Sequence, residues 1–398
     1  MRRTVIIVYF FGSLLLIGVY GLIWSSIVQN PADAVNRDFL SFAIADYVIE
    51  RHGYLDLYDI GLQSSAMTAI VEGPILLEGS LLPFVHPPFL MPVMVLFINE
   101  DPFGSFLRWT LATLMLLIPC IWLSHQFLKQ KNIAEPWWIL IPLFLLAPLH
   151  INLFQGQDLI FLLFGLLVFV WGVDQDNDLI GGMGLSLTTI SPHLAVLFAI
   201  PLFFSNRKLF AWFCAFAAIL VSFSLFLIGF DGLADFLNII RVTAAAEGSS
   251  YGVNKVEMFN LIGLSLRLWP TMPIHLVTTI TWSGYALAIL LLCRLHAKTA
   301  HKKSSLLLTV SLSINVALFF APHLHAHSLL PLWIVFLIWG MNRVQIKKSS
   351  SQQVGLWVLL ASLAMVPIFV PVVPLSWIGV FVVLIICAVL TLQQLNFK

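Results

Sequence analysis

The chain has 398 residues, of which 60% are hydrophobic and 10% charged, and its mean hydropathy is +0.97. A soluble domain needs far more charge on its surface, so this composition excludes a soluble globular protein and indicates a polytopic helical membrane protein. The formal net charge of +1 identifies no partner, and we expect no nucleic-acid partner.

About a dozen apolar runs divide the chain, and several are short for a bilayer core of roughly 30 Å, so tilt or packing must help them to span it. The first run follows Arg2 and Arg3 and is long for a signal-peptide core, so we expect an uncleaved anchor. The sequence predicts an all-α membrane protein with about 12 transmembrane helices. The runs are 4–28, 84–98, 107–124, 136–151, 158–173, 179–204, 209–229, 273–293, 305–321, 328–341, 354–370 and 374–392.

Basic loops predict the orientation, because short loops rich in Lys and Arg stay in the cytoplasm. If the runs simply alternate, the basic segments share one side, and the long loops 29–83 and 230–272 lie outside. The orientation of the loops within 83–204 stays open. Simple alternation puts Lys129 and Lys131 outside, whereas a broken helix at Ser191-Pro192-His193 would place these middle loops on the opposite sides of the membrane. The basic segments are Arg2-Arg3, Arg207-Lys208, 294–303 and 343–348.

The first outer loop carries much of the acidic charge of the chain. Apolar residues recur near helical spacing from Asp38 to Arg51, which predicts an amphipathic interfacial helix with Asp38 at its start. Such an acid either caps the helix or stands free for chemistry, and these residues alone leave both interpretations open. Residues 29–82 hold eight of the 19 acids, Asp33, Asp38, Asp46, Glu50, Asp56, Asp59, Glu72 and Glu78, beside the bases Arg37 and Arg51.

Polar residues that interrupt later apolar runs are further candidates. His86 precedes a Pro87-Pro88 helix start, and it is either a plain interfacial residue or a substrate contact. Gln155 and Gln157 either line a cavity or form an ordinary turn between helices.

The second long loop, from Phe230 to Leu268, has the length of a functional lid or binding loop. Arg241, Lys255 and Arg267 are basic residues there that would meet either a phosphate or an anionic lipid.

Three histidines alternate at positions 323, 325 and 327 before an apolar run. Alternation in an extended segment would direct them to one side, as in a metal site. No acidic partner lies nearby in sequence, and histidine also binds sugars or phosphates as a neutral group, so we predict no metal and no cofactor. All four cysteines fall within apolar runs, so we expect neither a disulfide nor zinc.

Several short motifs occur in order between about residues 36 and 330. They are Asn36-Arg37-Asp38, Leu57-Tyr58-Asp59, His86-Pro87-Pro88, Gln155-Gly156-Gln157, Ser191-Pro192-His193 before Arg207-Lys208, Asn260 before Leu264, and Pro322 before His327. Together they resemble family 87 of the GT-C glycosyltransferases, whose members use polyprenyl-phosphate-mannose donors.

The resemblance implies a GT-C fold, with a catalytic transmembrane module at 1–272 and helices at 273–398 that complete the site. It also implies transfer of a hexose, first of all mannose, from a polyprenyl phosphate to a lipid or glycan acceptor on the extracytoplasmic face. Asp38 matches the catalytic base of an inverting displacement. The resemblance, with the polarity of these positions, suggests substrate-binding residues at Arg37, Tyr58, Asp59, His86, Gln155, Gln157, His193, Lys255, Asn260 and His327.

Two other classes of function remain. A transporter or flippase for a lipid-linked or small solute explains the many spans, but it would place ionisable groups deep in them, whereas here such groups crowd near the outer surface. A structural membrane subunit leaves the acidic first loop without a task. We therefore predict a multi-pass transferase of a bacterial inner membrane, with membrane lipids, the donor and the acceptor as partners.

Overall fold

A computed structural model describes residues 2–35, 37–71, 81–245, 255–299, 303–347, 349–369 and 373–396. Asn36, Glu72 and Glu78, which the sequence analysis names, lie outside these residues. All regular elements of the described ranges are helical. The first ten helices are α1 (Arg2–Gln29), α2 (Pro31–Val35), α3 (Phe39–His52), α4 (Ile60–Ile70), α5 (Met91–Met94), α6 (Pro102–Gln130), α7 (Trp137–Phe144), α8 (Ala147–Gln155), α9 (Leu159–Asp174) and α10 (Asp178–Ser186).

Nine further helices follow, and short 3-10 turns connect several of them. The long α13 bends at Gly229, whose φ of 66° is not helical. The helices are α11 (Pro192–Ala199), α12 (Leu202–Ser205), α13 (Arg207–Ala245), α14 (Leu261–Leu268), α15 (Ile274–Thr299), α16 (Lys303–Phe320), α17 (Leu332–Lys347), α18 (Ser351–Met365) and α19 (Val373–Asn396). The 3-10 turns are Tyr54–Asp56, Pro88–Leu90, Leu187–Ile190, Lys255–Glu257, His327–Leu329 and Val366–Phe369.

Among the described residues, five helices are long and apolar enough to cross a membrane, and the bent pair α7–α8 makes a sixth if it forms one span. Four further apolar helices are shorter, at Leu159–Asp174, Pro192–Ser205, Leu306–Phe320 and Trp377–Gln393. The predicted all-helical, multi-pass architecture is confirmed, while the count of 12 spans stays a prediction.

The second apolar run, 84–98, contains no long helix. Its regular structure is limited to the 3-10 turn at Pro88–Leu90 and the four-residue α5. Pro87, Pro88 and Pro92 lack the backbone N–H that a continuing helix requires, so the chain turns here. One crossing expected from simple alternation is therefore absent from this segment.

The sixth run, 179–204, forms a hairpin. The helix breaks before Pro192, at the position that the sequence indicates. Both ends of the hairpin meet, because Nδ2 of Asn206 donates to Oδ1 of Asp178 at 2.7 Å. Each arm spans only about 20 Å at 1.5 Å per residue, so the turn at Ser191 reaches part-way across the bundle.

Helix α9 separates two polar ends of the molecule. One, the lysine end, contains Lys131, Asp174, Asp178, Lys208 and Gln345. Nζ of Lys131 pairs with Asp174, and Gln345 donates to the Lys131 carbonyl at 3.0 Å.

The other end, the histidine end, contains Asp38, His86, Asp158 and His327. It lies about 24 Å away along the 16 residues of α9. The loops at Lys131 and at Asp174–Asp178, whose orientation the sequence left undecided, thus lie at the same end of the molecule as Lys208. The middle loops are reversed relative to simple alternation.

The apolar core runs through both parts of the chain. One buried cluster extends from Leu117 to Cys387 and joins α6, α9, α16, α17 and α19. A second cluster, from Tyr9 to Leu359, packs α1 and α3 around Phe106 and Trp109. The division into modules at residue 272 stays a prediction, and the core crosses that position.

Candidate active site

Asp38 stands at the boundary where α3 begins. Phe39, Phe42 and Ala45 on that helix are buried, which fixes its start against the bundle. The carboxylate of Asp38 makes no capping hydrogen bond to the first turn, and 34% of the side chain is exposed. Asp38 is therefore free to contact groups outside its own helix, rather than serving as the cap that one interpretation offered.

Gln157 holds the Asp38 carboxylate from the loop between α8 and α9. Its Nε2 donates to Oδ2 of Asp38 at 2.8 Å. The loop turns at Gly156, whose φ of 65° suits glycine, and a Cβ there would lie 2.9 Å from Cβ of Phe39. Nε1 of Trp109 also donates to the Gly156 carbonyl at 2.9 Å. The sequence Gln155-Gly156-Gln157 is thus a tight turn that carries two polar side chains into the site.

His327 also lies beside the Asp38 carboxylate. Its Nδ1 lies 2.8 Å from Oε1 of Gln155 and 3.6 Å from Oδ2 of Asp38. Because Oε1 accepts, Nδ1 carries the hydrogen, which leaves Nε2 as an acceptor. Burial lowers the pKa of His327 to about 4, although the Asp38 charge opposes this shift. His327 is therefore neutral at pH 7.

The other two histidines of the same segment lie beside His327. The rings of His325 and His327 are 5.9 Å apart between centroids, and those of His323 and His325 are 4.8 Å apart. The ring of His193, at the turn of the hairpin, lies 6.2 Å from that of His323. Burial lowers the pKa of His325. Within the ranges that the structure describes, no group of three or more His, Cys, Asp or Glu residues is arranged to hold a metal ion.

His86 contacts a carboxylate that the sequence analysis did not select. Its Nδ1 lies 2.9 Å from Oδ2 of Asp158, whose side chain is 0% exposed. The O–H of Tyr58 donates to the backbone carbonyl of His86, and the ring of Phe42 lies 4.7 Å from the imidazole. The completely buried Tyr58 thus positions the loop of His86 through its hydroxyl.

Two further predicted residues have structural partners. Asp59 is exposed and caps α4, because its Oδ1 accepts from the N–H of Leu62 at 2.8 Å. Asn260 is fully buried: its Oδ1 accepts from the N–H of Gly263, and its Nδ2 donates to the Ala321 carbonyl at 2.8 Å. Asn260 therefore ties the start of α14 to the chain just before the three histidines.

The basic residues of the second long loop lie in different surroundings. Arg241 is exposed and donates to Oδ1 of Asn238 at 3.0 Å. Arg267 donates to the Met258 carbonyl at 2.9 Å and lies over the ring of Phe259. Lys255 begins a 3-10 turn and Arg37 adjoins Asp38, and both have interaction partners.

The chain was compared with protein families and with individual proteins. A family described as glycosyltransferase family 87 matches residues 84–322, more than half of the chain. The chain belongs to glycosyltransferase family 87. No curated protein and no solved structure matches it. The family prediction is therefore confirmed, and with it a membrane glycosyltransferase as the class of activity.

The family-87 match includes part of the site and stops short of the rest. It covers His86, Asp158 and His193, whereas Asp38 and His327 lie outside it. The structure brings these residues together, since Gln157, inside the match, donates to Asp38, and Gln155 contacts His327. The roles of the individual site residues stay predictions.

Sequence reasoning did not select Asp158, His323 or His325 as site residues. Asp158 directly follows Gln157 at the start of an apolar helix, where a carboxylate is costly unless it has a partner. The cost of an unpaired carboxylate at this position could therefore have marked Asp158 as a candidate site residue from sequence alone. The partner, His86, could not be identified, because it lies 72 positions earlier in the chain.

Proposed function

We propose that this family-87 protein is an inverting glycosyltransferase that moves a hexose from a polyprenyl phosphate to a hydroxyl group of a lipid or glycan. Mannose is the first candidate for that hexose. The observation that supports this proposal is the state of Asp38. Its carboxylate is one-third exposed, yet Gln157 holds it and the neutral His327 flanks it. A general base needs this combination of access and fixed position.

Asp38 accepts the proton of the acceptor hydroxyl while the acceptor oxygen attacks the anomeric carbon of the sugar. The bond between that carbon and the phosphate oxygen breaks, and its electron pair leaves with the polyprenyl phosphate. The leaving phosphate is a stable anion, so no acid catalyst is needed. The proton on Asp38 passes to water, which restores the carboxylate. No metal or other cofactor enters these steps.

The neighbouring side chains bind and orient the reactants. Gln157 fixes Oδ2 of Asp38, so that Oδ1 faces the acceptor. His327 offers Nε2 as an acceptor for a sugar hydroxyl, since its Nδ1–H is directed to Gln155. The ring of His193 borders the histidine segment from the hairpin turn and completes the wall of the sugar site.

The charge distribution favours an extracytoplasmic site. The lysine end contains Lys131 and Lys208, and the N-terminus of α1, with Arg2 and Arg3, lies near it because Tyr9 donates to the Trp138 carbonyl at 3.3 Å. Basic loops stay in the cytoplasm. The histidine end then faces the outer side of the membrane, which we take to be a bacterial inner membrane.

The test is the transfer of radiolabelled mannose from polyprenyl-phosphate-mannose to a membrane lipid extract, with purified protein. We expect transfer by the wild type and a loss of about 10³-fold in Asp38→Asn, because a missing general base costs about that much. Asp56→Asn, an exposed acid of the same outer loop, is the control and should retain full activity.

Near-normal transfer by Asp38→Asn would contradict its role as base. If the wild type transfers no mannose, other polyprenyl-linked sugars are tested next. Movement of the lipid across a vesicle bilayer without any transfer would show a transporter instead.

A further inference from the structure

Asp158 is a buried carboxylate whose ion-pair partner among the described residues is His86. It stands where α9 begins, but its side chain does not cap that helix. None of the described residues donates a hydrogen bond to either carboxylate oxygen, and the one ion pair among them joins Oδ2 to Nδ1 of His86 at 2.9 Å. An isolated charge that is fully buried strongly destabilises the folded state. Among the described residues, Nδ1 of His86 is the group placed to compensate this charge.

The imidazole of His86 is held in one orientation. Its backbone carbonyl accepts from Tyr58, and the rings of Phe42 and Phe84 pack at 4.7 and 5.5 Å between centroids. When Nδ1 faces Asp158, Nε2 points to the opposite side of the ring. The side chain of His86 is 18% exposed, so part of it is accessible.

His86 differs from the histidines around it. His325 and His327 stay neutral because burial lowers the pKa of each. The guanidinium groups of Arg241 and Arg267 already donate to Asn238 and Met258. Among these side chains, His86 is the one with a buried carboxylate beside it to stabilise a positive charge.

We propose that His86 and Asp158 form an ion pair that binds the phosphate of the polyprenyl donor and of the leaving group. His86 donates to the phosphate through Nε2, and Asp158 is a positioning residue that acts through His86. This rests on the proposed function for the identity of the lipid. When the sugar leaves, the phosphate charge rises from one to two, and a cation already in place stabilises the added charge without reorganisation.

The test measures the binding of farnesyl phosphate, a short analogue of the leaving group, to the purified full-length protein in detergent. Farnesol, which lacks the phosphate, is measured in parallel. We expect His86→Gln and Asp158→Asn each to weaken farnesyl phosphate binding about 30-fold, the typical effect of losing a hydrogen bond to a charged group. Farnesol binding should not change.

The matched control is Asp174→Asn. Asp174 is likewise buried, with 3% of its side chain exposed, and it pairs with Lys131 at the opposite end of α9. This variant should bind farnesyl phosphate like the wild type. It separates the loss of a buried ion pair in general from the loss of this one.

The double variant His86→Gln/Asp158→Asn removes both charges and leaves no unpaired carboxylate. It should therefore fold even if one of the single variants does not. Two residues that act as a unit give a double variant no weaker than either single one. Wild-type affinity for farnesyl phosphate in any folded variant, or an equal loss of farnesol binding, would overturn the proposal.

These binding measurements do not depend on turnover. A wild type that transfers no sugar would count against the proposed function. The phosphate site would still stand or fall on the affinities for farnesyl phosphate.

Discussion

The two ends of α9 carry similar carboxylates in different surroundings. Asp174 pairs with Lys131, whose side chain is 26% exposed, and its other oxygen accepts from the adjacent Gln175. Asp158 pairs with a histidine, and four more histidines and the partly exposed Asp38 lie around that pair. A buried ion pair alone therefore does not identify a site. The convergence of titratable side chains on one accessible carboxylate does.

One glutamine at each end of α9 donates to a carboxylate: Gln157 to Asp38 and Gln175 to Asp174. Substituting these two glutamines gives the sharpest test of this contrast. Gln157→Leu removes the donor to Asp38, so the base loses its fixed position, and we expect the turnover number to fall about 100-fold. Gln175→Leu, which removes a contact to Gln130 at the lysine end, should leave turnover unchanged. Steady-state transfer assays on both variants measure the difference. Equal effects would mean that the two ends do not differ in function.

Gly156→Ala tests whether the turn at the histidine end is under steric control. The new Cβ would lie 2.9 Å from Phe39 in a left-handed conformation, so we expect a loss of about 2 kcal/mol in stability. Gly53 also has a positive φ, of 90°, and with its ψ of 175° it lies in a region that residues other than glycine rarely adopt, but it has open space around it. Gly53→Ala should therefore lose only the backbone strain, about 1 kcal/mol, with no added clash. Thermal unfolding in detergent compares them, and an equal loss would argue against the contact with Phe39.

Two capping asparagines allow the same comparison. Asn260 caps α14 and donates to Ala321, while Asn206 caps α13 and donates to Asp178 at the lysine end. Each Asn→Ala variant should lose about 1.5 kcal/mol, since a cap and a hydrogen bond disappear together.

Only Asn260→Ala should also lower the transfer rate per folded molecule, by several-fold, because the histidine segment is released. Reduced transfer in Asn206→Ala would show that the rate follows stability alone.

The smallest effect concerns Asp46 on α3. Burial, and next the charge of Glu50, raise its pKa from 3.8 to about 6. The folded state then binds more protons than the unfolded state between about pH 4 and 6, so stability falls as the pH rises through this window. Asp46→Asn should stabilise the protein by about 1 kcal/mol at pH 7.5, allowing for partial exposure, and not at pH 4.

Asp56 serves as the exposed control for the same experiment, in which melting temperatures are measured across the pH range. Asp56→Asn, a substitution of an exposed side chain, should change the stability little at either pH. A gain for Asp46→Asn that is as large at pH 4 as at pH 7.5 would exclude the ionisation of Asp46 as its cause.

Those features of the site that depend on a single short segment of the chain were predictable from the sequence. Helical spacing after Asp38 predicted α3, which ends at His52 before Gly53, and the proline of Ser191-Pro192 predicted the break between α10 and α11. The prolines at 87, 88 and 92 were equally visible, but the length of the apolar run around them favoured a span. Hydropathy measures only the apolar character of a run, and it does not show that prolines lack the backbone N–H groups that a helix needs.

The sequence alone determined the class of protein, because 60% hydrophobic residues have no stable place outside a membrane, and its motifs indicated the family that the comparison confirmed. The tertiary structure decided which polar residues meet. Gln157 contacts a residue 119 positions away and Gln155 one 172 positions away. Such contacts depend on how the helices pack, and no local periodicity encodes them. The same packing joined Asn260 to Ala321 and gave Asp158 its histidine, whereas the cap that Asp59 forms is a local contact.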